Sequence, residues 1–255
     1  MESNNFSTTA TATNAIARSG VAVVVVAAGS GSRLGYGVPK AQVKIAGKEL
    51  LRWALEGVQA SGVAARVVVT VPEGDTLLSS IASEFGALAV TGGSTRAESV
   101  VSALARIPDA VAQPGFADSA PSVVLVHDAA RCFTPAEVFS RVVEAVEAKN
   151  DAVIPVMPVV DTIKSVDELN FVSGTPARAN LRAVQTPQGF NLKILNDAYT
   201  QAAAQGLAES ITDDAMLAEI LQIPVLTVEG SADSFKITTP LDVALAKALY
   251  EKDTL

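Results

Sequence analysis

A glycine-rich turn followed by two cations is the first feature of the sequence that could carry chemistry. Residues 27–35 read Ala-Ala-Gly-Ser-Gly-Ser-Arg-Leu-Gly after an apolar run, and a Pro-Lys pair ends at Lys40. Glycines let backbone N–H groups approach phosphate oxygens closely. A glycine turn alone is commonplace, but Arg33 and Lys40 add positive charge that would stabilise a transition state at phosphorus. The segment therefore predicts a phosphate site at which phosphorus reacts.

The glycine spacing favours a nucleoside triphosphate over a dinucleotide. A dinucleotide-binding turn requires Gly-x-Gly-x-x-Gly and an acidic residue that closes the second strand. Here the third glycine, Gly35, comes one position late, and no acidic residue closes the second apolar run, residues 66–71. An NAD-dependent oxidoreductase is therefore disfavoured.

A carboxylate at the end of another apolar run is the second feature. Residues 126–131 read Val-His-Asp-Ala-Ala-Arg. The carboxyl end of a buried strand is where an α/β sheet places a Mg²⁺ ligand, which predicts that role for Asp128. Asp128 could instead cap the next turn or pair with Arg131. His127 is the only histidine and has no serine nucleophile nearby, so a hydrolase triad is unsupported and a packing role is predicted.

A Gly-Gly turn before a helix is the third feature. Residues 92–99 read Gly-Gly-Ser-Thr-Arg-Ala-Glu-Ser, with a Ser or Thr available to cap the helix. Such a turn could bind a base or a ribose through backbone and hydroxyl groups. Alone it is a weak signal, because capped helices after Gly-Gly are common.

The elements that must position these residues alternate between strand and helix. Apolar, β-branched runs predict strands, and apolar residues at three- and four-residue spacing predict helices. Strands are predicted at 21–28, 66–71, 123–126, 151–157, 185–190 and 225–228, and helices at 49–59, 76–84, 98–106, 135–148, 192–204 and 215–221. Thr134 is predicted to cap the fourth helix, with Pro135 at its first position, and Thr239 begins a last helix. This pattern predicts a Rossmann-like, three-layer α/β/α fold with a mostly parallel sheet.

Residues 158–182, called the arm below, interrupt the alternation. Polar residues there mix with a Val-Ser-Gly-Thr-Pro stretch, which predicts an extended β arm or hairpin. Its length indicates an oligomer contact or part of a site. We expect residues 1–19 to form a flexible tail and residues 20–255 to form a single domain.

Composition excludes several classes of protein. A hydrophobic fraction of 49% with 18% charged residues indicates a soluble globular chain, and the longest apolar run is far too short to span a bilayer. The net charge of −8 argues against general nucleic-acid binding. The single cysteine, Cys132, can form no internal disulfide and no signal peptide is evident, so we expect a cytoplasmic protein.

Seven short motifs in one order resemble the 2-C-methyl-D-erythritol 4-phosphate cytidylyltransferase family of the nonmevalonate isoprenoid pathway, which has the nucleotide-diphospho-sugar transferase type of fold. The likeness runs from about Val21 to the C-terminus. The motifs are the glycine turn with Pro39-Lys40, the 92–99 segment, residues 127–131, Asp161-Thr162, residues 186–188, residues 212–215 and residues 236–238.

The resemblance implies roles for individual residues. It implies a catalytic set, Arg33, Lys40, Arg178 and Lys236, of which the last two also position the acceptor phosphate. It implies Mg²⁺ at Asp128 and CTP contacts at Ala27, Ala28, Gly29, Gly31, Gly92, Arg96, Ser99 and Asp128. It implies that the sugar alcohol phosphate is surrounded by Arg131, Thr162, Thr186, Thr212 and Asp233.

The resemblance also implies a homodimer in which Arg178 and the arm reach the neighbour's site. Cys132 and Ala41 stand where the family usually has Pro and often Gln, and neither change removes a charge that the mechanism needs. We expect the cytidylyltransferase alone, because the chain ends soon after its last predicted helix. A sister cytidylyltransferase that uses ribitol 5-phosphate or another polyol phosphate stays open, as does a noncatalytic nucleotide-binding protein.

Overall fold

The computed structural model describes residues 20–116, 118–207, 211 and 213–251. Twelve strands are described: β1 (Val21–Val26), β2 (Lys44–Ile45), β3 (Lys48–Glu49), β4 (Ala64–Val71), β5 (Leu88–Thr91), β6 (Val123–Asp128), β7 (Ala152–Pro158), β8 (Ser165–Val166), β9 (Val172–Gly174), β10 (Arg182–Val184), β11 (Gln188–Asn191) and β12 (Val225–Glu229). The described α-helices are α1 (Leu50–Ser61), α2 (Thr76–Glu84), α3 (Arg96–Leu104), α4 (Ala136–Glu147), α5 (Leu192–Ala204), α6 (Asp214–Ile220) and α7 (Pro240–Tyr250). The tail predicted over residues 1–19 lies outside these ranges.

The central sheet is mixed and mostly parallel, as predicted. Strands β5, β4, β1 and β6 run parallel in that order. Strand β11 joins β6 to β7 with antiparallel pairing on both sides, and β12 pairs parallel with the other edge of β7. The carboxyl ends of β1 and β6 therefore lie side by side, which brings the first two sequence features together.

Helices cover both faces of the sheet, which confirms the three-layer fold. Val23 and Val25 of β1 belong to one core with α1, α2, α4 and α7. Ala22 and Val24 belong to a second core with α3, α5 and α6. Because successive side chains of a strand point to opposite faces, a continuous apolar run fits a strand buried on both sides.

Two local predictions are wrong. The strand predicted over 185–190 begins only at Gln188, as β11, and residues 185–187 connect it to β10; Pro187 has no N–H to donate to a neighbouring strand. Thr134 does not cap α4: its hydroxyl donates to the carbonyl of Arg131 at 2.8 Å, and Pro135 occupies the cap position. The caps at the third motif and at the last helix are confirmed, because Thr95 and Thr239 each form a reciprocal capping box.

The arm contains the predicted hairpin. Within it, β8 and β9 form an antiparallel hairpin, and β10 returns along β7. Several of its large apolar side chains are exposed, including Val160, Leu169 and Phe171. In the described ranges, no helix is long and apolar enough to cross a membrane.

Candidate active site

A cleft of about 440 Å³ opens where β1 and β6 end. The turn after β1, the start of α3, the end of β6 and the segment before α7 form its walls. Nine residues predicted for the site line it: Ala27, Ala28, Gly29, Arg33, Lys40, Arg96, Ser99, Asp128 and Lys236. A hollow of about 490 Å³ beside β4 and β5 is lined by no Lys or Arg, whereas the cleft is lined by Arg33, Lys40, Arg96 and Lys236.

The turn after β1 folds back on itself and thereby presents both of its cations to the cleft. The N–H of Lys40 donates to the carbonyl of Gly29 at 3.2 Å. Gly31 has a positive φ of 71°, and a Cβ there would lie 2.9 Å from the backbone nitrogen of Lys40. Only glycine suits that position, because the backbone there is left-handed and lies too close to Lys40 for a side chain. Gly31 therefore shapes the turn from behind and does not line the cleft.

Positive charge is concentrated in the cleft. Lys40 is half-buried, and burial, followed by the charges of Lys236 and Arg33, lowers its pKa from the ordinary value. Several cations held close together repel one another, and an anion bound between them relieves that repulsion. This electrostatic arrangement suits a polyphosphate.

Asp128 lies at the floor of the cleft between two cations. Its carboxylate accepts from Arg96 Nε at 3.2 Å and pairs with Lys236 Nζ at 2.7 Å. Burial alone would raise its pKa, but the charges of Arg96 and Lys236 lower it well below the usual range. The carboxylate is therefore ionised at neutral pH.

Neither structural alternative for Asp128 holds. Its side chain caps no turn. Arg131 does not pair with it, and donates instead to the carbonyls of Ser234 at 2.8 Å and Val184 at 3.0 Å. Arg131 thus ties β10 to the segment that carries Lys236, and it does not line the cleft.

The residues of the cleft fit a magnesium ion only when a nucleotide shares it. Among the described residues, no group of three or more His, Cys, Asp or Glu side chains could hold a metal. Asp128 is the single acidic residue in the described cleft lining. Mg²⁺ is commonly held by one or two carboxylates together with substrate phosphates and water. The donor set therefore fits an ion that arrives with a triphosphate.

The Gly-Gly turn and the start of α3 form another wall of the cleft, which Gly93 lines and Gly92, a predicted CTP contact, does not. A Cβ on Gly92 would lie 2.4 Å from the Cβ of Ala28, so glycine is needed for the close approach of this turn to the end of β1. The hydroxyl of Ser99 donates to the carbonyl of Thr95 at 2.9 Å and accepts from the N–H of Gly93 at 3.1 Å. Gly92 and Ser99 thus fix the shape of this wall.

The other predicted substrate residues that the structure describes are not among the residues lining the cleft. Thr186 is buried behind Asp128, whose backbone N–H donates to its hydroxyl at 3.0 Å. Asp233 is exposed next to the Lys236 segment. Thr162 and Arg178 are exposed on the arm, where Arg178 Nη1 donates to the carbonyl of Val160 at 2.6 Å. Thr212 lies outside the described residues.

His127 packs beneath the cleft, as predicted. It is buried, its ring lies 5.0 Å from that of Phe139, and its Nδ1 is 3.1 Å from the hydroxyl of Thr186. Burial lowers the pKa of His127 to about 4. The imidazole is therefore neutral at neutral pH and supplies no charge to the cleft.

We expect the free energy of unfolding to fall as the pH drops from about 6.5 to about 4. The unfolded chain protonates His127 near 6.5, whereas the folded chain does so only near 4. The stabilisation is therefore complete above about pH 6.5, and the gap corresponds to a loss of up to about 3 kcal/mol at low pH. Urea unfolding at several pH values measures it. An unchanged pH slope in His127→Gln would refute the assignment to this residue.

The family that the sequence matches agrees with a cleft built for a nucleotide. Residues 21–252 match the family model described as 2-C-methyl-D-erythritol 4-phosphate cytidylyltransferase. The chain belongs to this family. The matched range includes every strand of the central sheet and the helices on both of its faces, so the relation to nucleotidyltransferases covers the whole fold.

Two curated relatives and two solved structures illustrate the family. The proteins named 2-C-methyl-D-erythritol 4-phosphate cytidylyltransferase from Rhodococcus jostii (strain RHA1) and Rhodococcus opacus (strain B4) are 47% and 48% identical, covering 91% and 92% of this chain and 96% and 97% of those proteins. The crystal structure of the enzyme so named from Thermus thermophilus is 36% identical with a TM-score of 0.71, covering 91% of this chain and 100% of that one. The 4-diphosphocytidyl-2C-methyl-D-erythritol synthase of Anaerococcus prevotii is 26% identical with a TM-score of 0.77, covering 92% and 99%.

The family motif at residues 212–215 contains a residue that the sequence interpretation missed. The resemblance implies a role for Thr212 and none for Asp214. In the structure Asp214 is fully buried and its carboxylate lies 2.7 Å from Arg96 Nη2. The available signal was a second acidic residue at a helix start where Asp213 alone supplies the cap.

Proposed function

We propose that the chain transfers CMP from CTP to 2-C-methyl-D-erythritol 4-phosphate, giving 4-diphosphocytidyl-2-C-methyl-D-erythritol and pyrophosphate. This is the cytidylyltransferase step of the nonmevalonate route to isoprenoid precursors. Membership of the family and the activity for which its relatives are named support the proposal. The observation that carries it at the site is the convergence of Arg33, Lys40 and Lys236 with Asp128 on one cleft. Those charges suit a triphosphate.

The reaction is a direct displacement at phosphorus. A phosphate oxygen of the acceptor attacks the α-phosphorus of CTP, a new P–O bond forms, and the bond from the α-phosphorus to the bridging oxygen breaks so that pyrophosphate leaves. A phosphate monoester is largely ionised near neutral pH, because its second pKa is about 6, so no general base is needed. Positioning and charge stabilisation then supply most of the rate.

Arg33 and Lys40 are assigned to the charge that builds up around the α-phosphate and the departing pyrophosphate. Both side chains line the cleft and belong to the same turn, which the bond from the N–H of Lys40 to the carbonyl of Gly29 closes. The guanidinium offers two parallel donors, and the ammonium group offers a compact charge.

The cytidine moiety is assigned to the wall formed by Ala28 and the start of α3. Small side chains and glycines leave room there for a flat base. Ser94 and Thr95, which line the cleft, add backbone and hydroxyl groups that suit a ribose or a base edge. Arg96 and Ser99 complete this part of the proposed CTP site.

Magnesium is assigned to Asp128 together with the phosphates of CTP. The ion would neutralise phosphate charge and orient the triphosphate. Lys236 lies 2.7 Å from the same carboxylate and is half-exposed toward the cleft. Its ammonium group is therefore placed to exchange its bond with Asp128 for a bond to a phosphate oxygen.

The acceptor is assigned to a site completed by a second copy of the chain. Arg178 and Thr162 lie on the arm and not in the cleft of their own chain. Exposed apolar side chains on the arm, including Leu169 and Phe171, supply a surface that association would bury. We therefore propose a homodimer in which each arm brings Arg178 to the partner's cleft, where Asp233 and Thr212 contact the sugar alcohol and the buried Thr186 acts through the backbone of Asp128.

Arg178→Ala is expected to lower kcat/KM for the acceptor by about ten- to a hundredfold, because a charge-assisted bond to its phosphate is lost. The Kd for CTP should not change. Lys164→Ala is the matched control, since it removes another exposed arm cation, one that donates to Thr175 Oγ1 at 2.7 Å. Light scattering checks that both variants keep the mass of the parent. A weakened CTP affinity with unchanged acceptor use would refute the assignment.

We place the enzyme in the cytoplasm and treat residues 20–255 as one domain. Cys132 is buried and burial raises the pKa of its thiol, which suits a structural cysteine in a reducing compartment. The two cores share the strands of a single sheet, which supports one domain.

Pyrophosphate release from CTP and Mg²⁺ tests the proposed function. Rates are compared with 2-C-methyl-D-erythritol 4-phosphate, with ribitol 5-phosphate and with ATP in place of CTP. Rapid release with CTP and the first acceptor alone is expected. Release only with ribitol 5-phosphate would identify a sister cytidylyltransferase, and CTP binding without release would identify a noncatalytic nucleotide-binding protein.

A further inference from the structure

A fully buried carboxylate lies behind the cleft wall. Asp214, the first residue of α6, has no exposed surface. The hydroxyl of Tyr199, on α5, donates to Asp214 Oδ1 at 2.5 Å, and Arg96 Nη2 lies 2.7 Å from Asp214 Oδ2. Burial, followed by the charge of Asp214, raises the pKa of Tyr199, so its hydroxyl keeps the proton that it donates.

The helix that Asp214 begins does not need this side chain. Asp213 caps α6, because its Oδ1 accepts from the N–H of Met216 at 3.0 Å. The other oxygen of Asp213 accepts from Gln188 Nε2 at 2.9 Å. A buried carboxylate lowers stability unless it is paired, and Asp214 is paired with Tyr199 and Arg96. The capping of α6 therefore gives no reason for Asp214, and the reason lies in these two partners.

Arg96 connects Asp214 to the floor of the cleft. Its Nη2 pairs with Asp214 and its Nε donates to Asp128, so two carboxylates hold two parts of one planar guanidinium. Lys236 takes the second oxygen of Asp128. The charges of Arg96 and Lys236 thus balance those of Asp128 and Asp214. The orientation of the Asp128 carboxylate therefore depends on the position in which Arg96 is held.

We propose that Asp214 is a positioning residue for the transfer reaction: with Tyr199 fixing its carboxylate, it holds Arg96 in the cleft wall and thereby orients Asp128. This inference rests on the proposed function, since it concerns the groups that would meet CTP. Without the charge of Asp214, Arg96 is free to turn both its edges toward Asp128 or toward the phosphates. The cleft also gains one net positive charge.

The expected signature separates binding from turnover. Asp214→Asn keeps the size of the side chain and removes its charge. CTP, a polyanion, should bind with the same or a lower Kd, because the cleft becomes more positive. Turnover should fall about tenfold or more, because misplaced groups no longer match the transition state. Tyr199→Phe should lower turnover about threefold by the same route.

The experiment measures CTP binding by calorimetry and pyrophosphate release for four variants. They are Asp214→Asn, Tyr199→Phe, Arg96→Gln and the double variant that combines the first and third. Asp213→Asn is the matched control, because asparagine is also a good helix cap and Asp213 does not touch Arg96. The binding stoichiometry counts the folded sites, so turnover is expressed per CTP-binding site and a misfolded fraction does not mimic the effect.

The inference predicts that Asp214→Asn costs much less when Arg96 is already glutamine, since both changes disrupt one unit. Losses that multiply in the double variant would overturn it, as would wild-type turnover per site in Asp214→Asn. If Asp214→Asn does not fold, Tyr199→Phe serves as the test instead. Turnover at the wild-type rate in Tyr199→Phe would also overturn the inference. A parent chain that binds CTP but forms no pyrophosphate would reject the proposed function instead, so the two failures are distinguishable.

Discussion

Replacing Lys40 by alanine is expected to lower turnover about a hundredfold or more, which is the usual cost of losing a preorganised charge contact to a transition state. Lys40 is held by the bond from its N–H to Gly29 and points into the cleft beside Arg33. Burial and the neighbouring cations lower the pKa of Lys40, which means that the charged ammonium group is less stable here than in water. A bound polyanion would stabilise that charge. The Kd for CTP should rise far less than kcat falls.

Lys44→Ala is the matched control for this prediction. Lys44 follows Lys40 by four residues, is exposed and pairs with Glu49 at 3.1 Å outside the cleft. Surface changes of this kind leave turnover nearly unaffected. Steady-state rates of pyrophosphate release compare the two variants. Near-normal turnover in Lys40→Ala would remove the assignment of this residue to the transition state.

The second large effect is expected for Asp128→Asn, which should lower turnover by about two orders of magnitude. Asparagine keeps the shape but removes the charge that balances Arg96 and Lys236. In buffer without metal, CTP should bind at least as tightly to the variant, because a negative charge has left the floor of the cleft. Added Mg²⁺ should then fail to restore the rate.

Asp109→Asn is the control for the charge change, since Asp109 is exposed and pairs with Arg106 away from the cleft. Rates are measured over a range of Mg²⁺ concentrations at saturating CTP, and calorimetry without metal measures the affinity. If Asp128→Asn keeps the Mg²⁺ dependence of the parent, the carboxylate does not take part in holding the ion.

The layers and the position of the cleft could be predicted from the sequence because they depend on local patterns. Continuous apolar runs such as residues 21–28 indicate strands buried on both faces, and the end of such a strand is where an α/β sheet binds ligands. The details of pairing could not be predicted in the same way. Residues 185–190 read as one strand, yet the strand begins only at Gln188, after Pro187, because a proline cannot donate to the ladder.

Side-chain partners proved harder to predict than elements. Thr134 has the sequence of a helix cap, but its hydroxyl bonds to Arg131, whose carbonyl the preceding turn leaves within reach. Arg131 was expected at the substrate and instead joins two backbone segments. In both cases several partners of equal chemistry are possible, and only the folded geometry selects among them.

Within the candidate site, motifs identified the residues that face the cleft better than those that support it. Arg33, Lys40 and Asp128 were singled out by charge next to a strand end. Asp214 was missed, because a second aspartate at a helix start is indistinguishable from a capping residue until its burial is seen. Support from behind a site depends on contacts between distant segments, here α3, α5 and α6.

The most direct test of the central claim follows phosphorus itself. A ³¹P NMR time course with the full chain, CTP, Mg²⁺ and 2-C-methyl-D-erythritol 4-phosphate records the loss of the triphosphate signals and the growth of pyrophosphate and of a new diphosphate diester. Formation of the last two in equal amounts, strongly slowed in Lys40→Ala and retained in Lys44→Ala, is the predicted result. Inorganic phosphate with CDP, or no change in CTP, would contradict the assignment of the chain as a cytidylyltransferase.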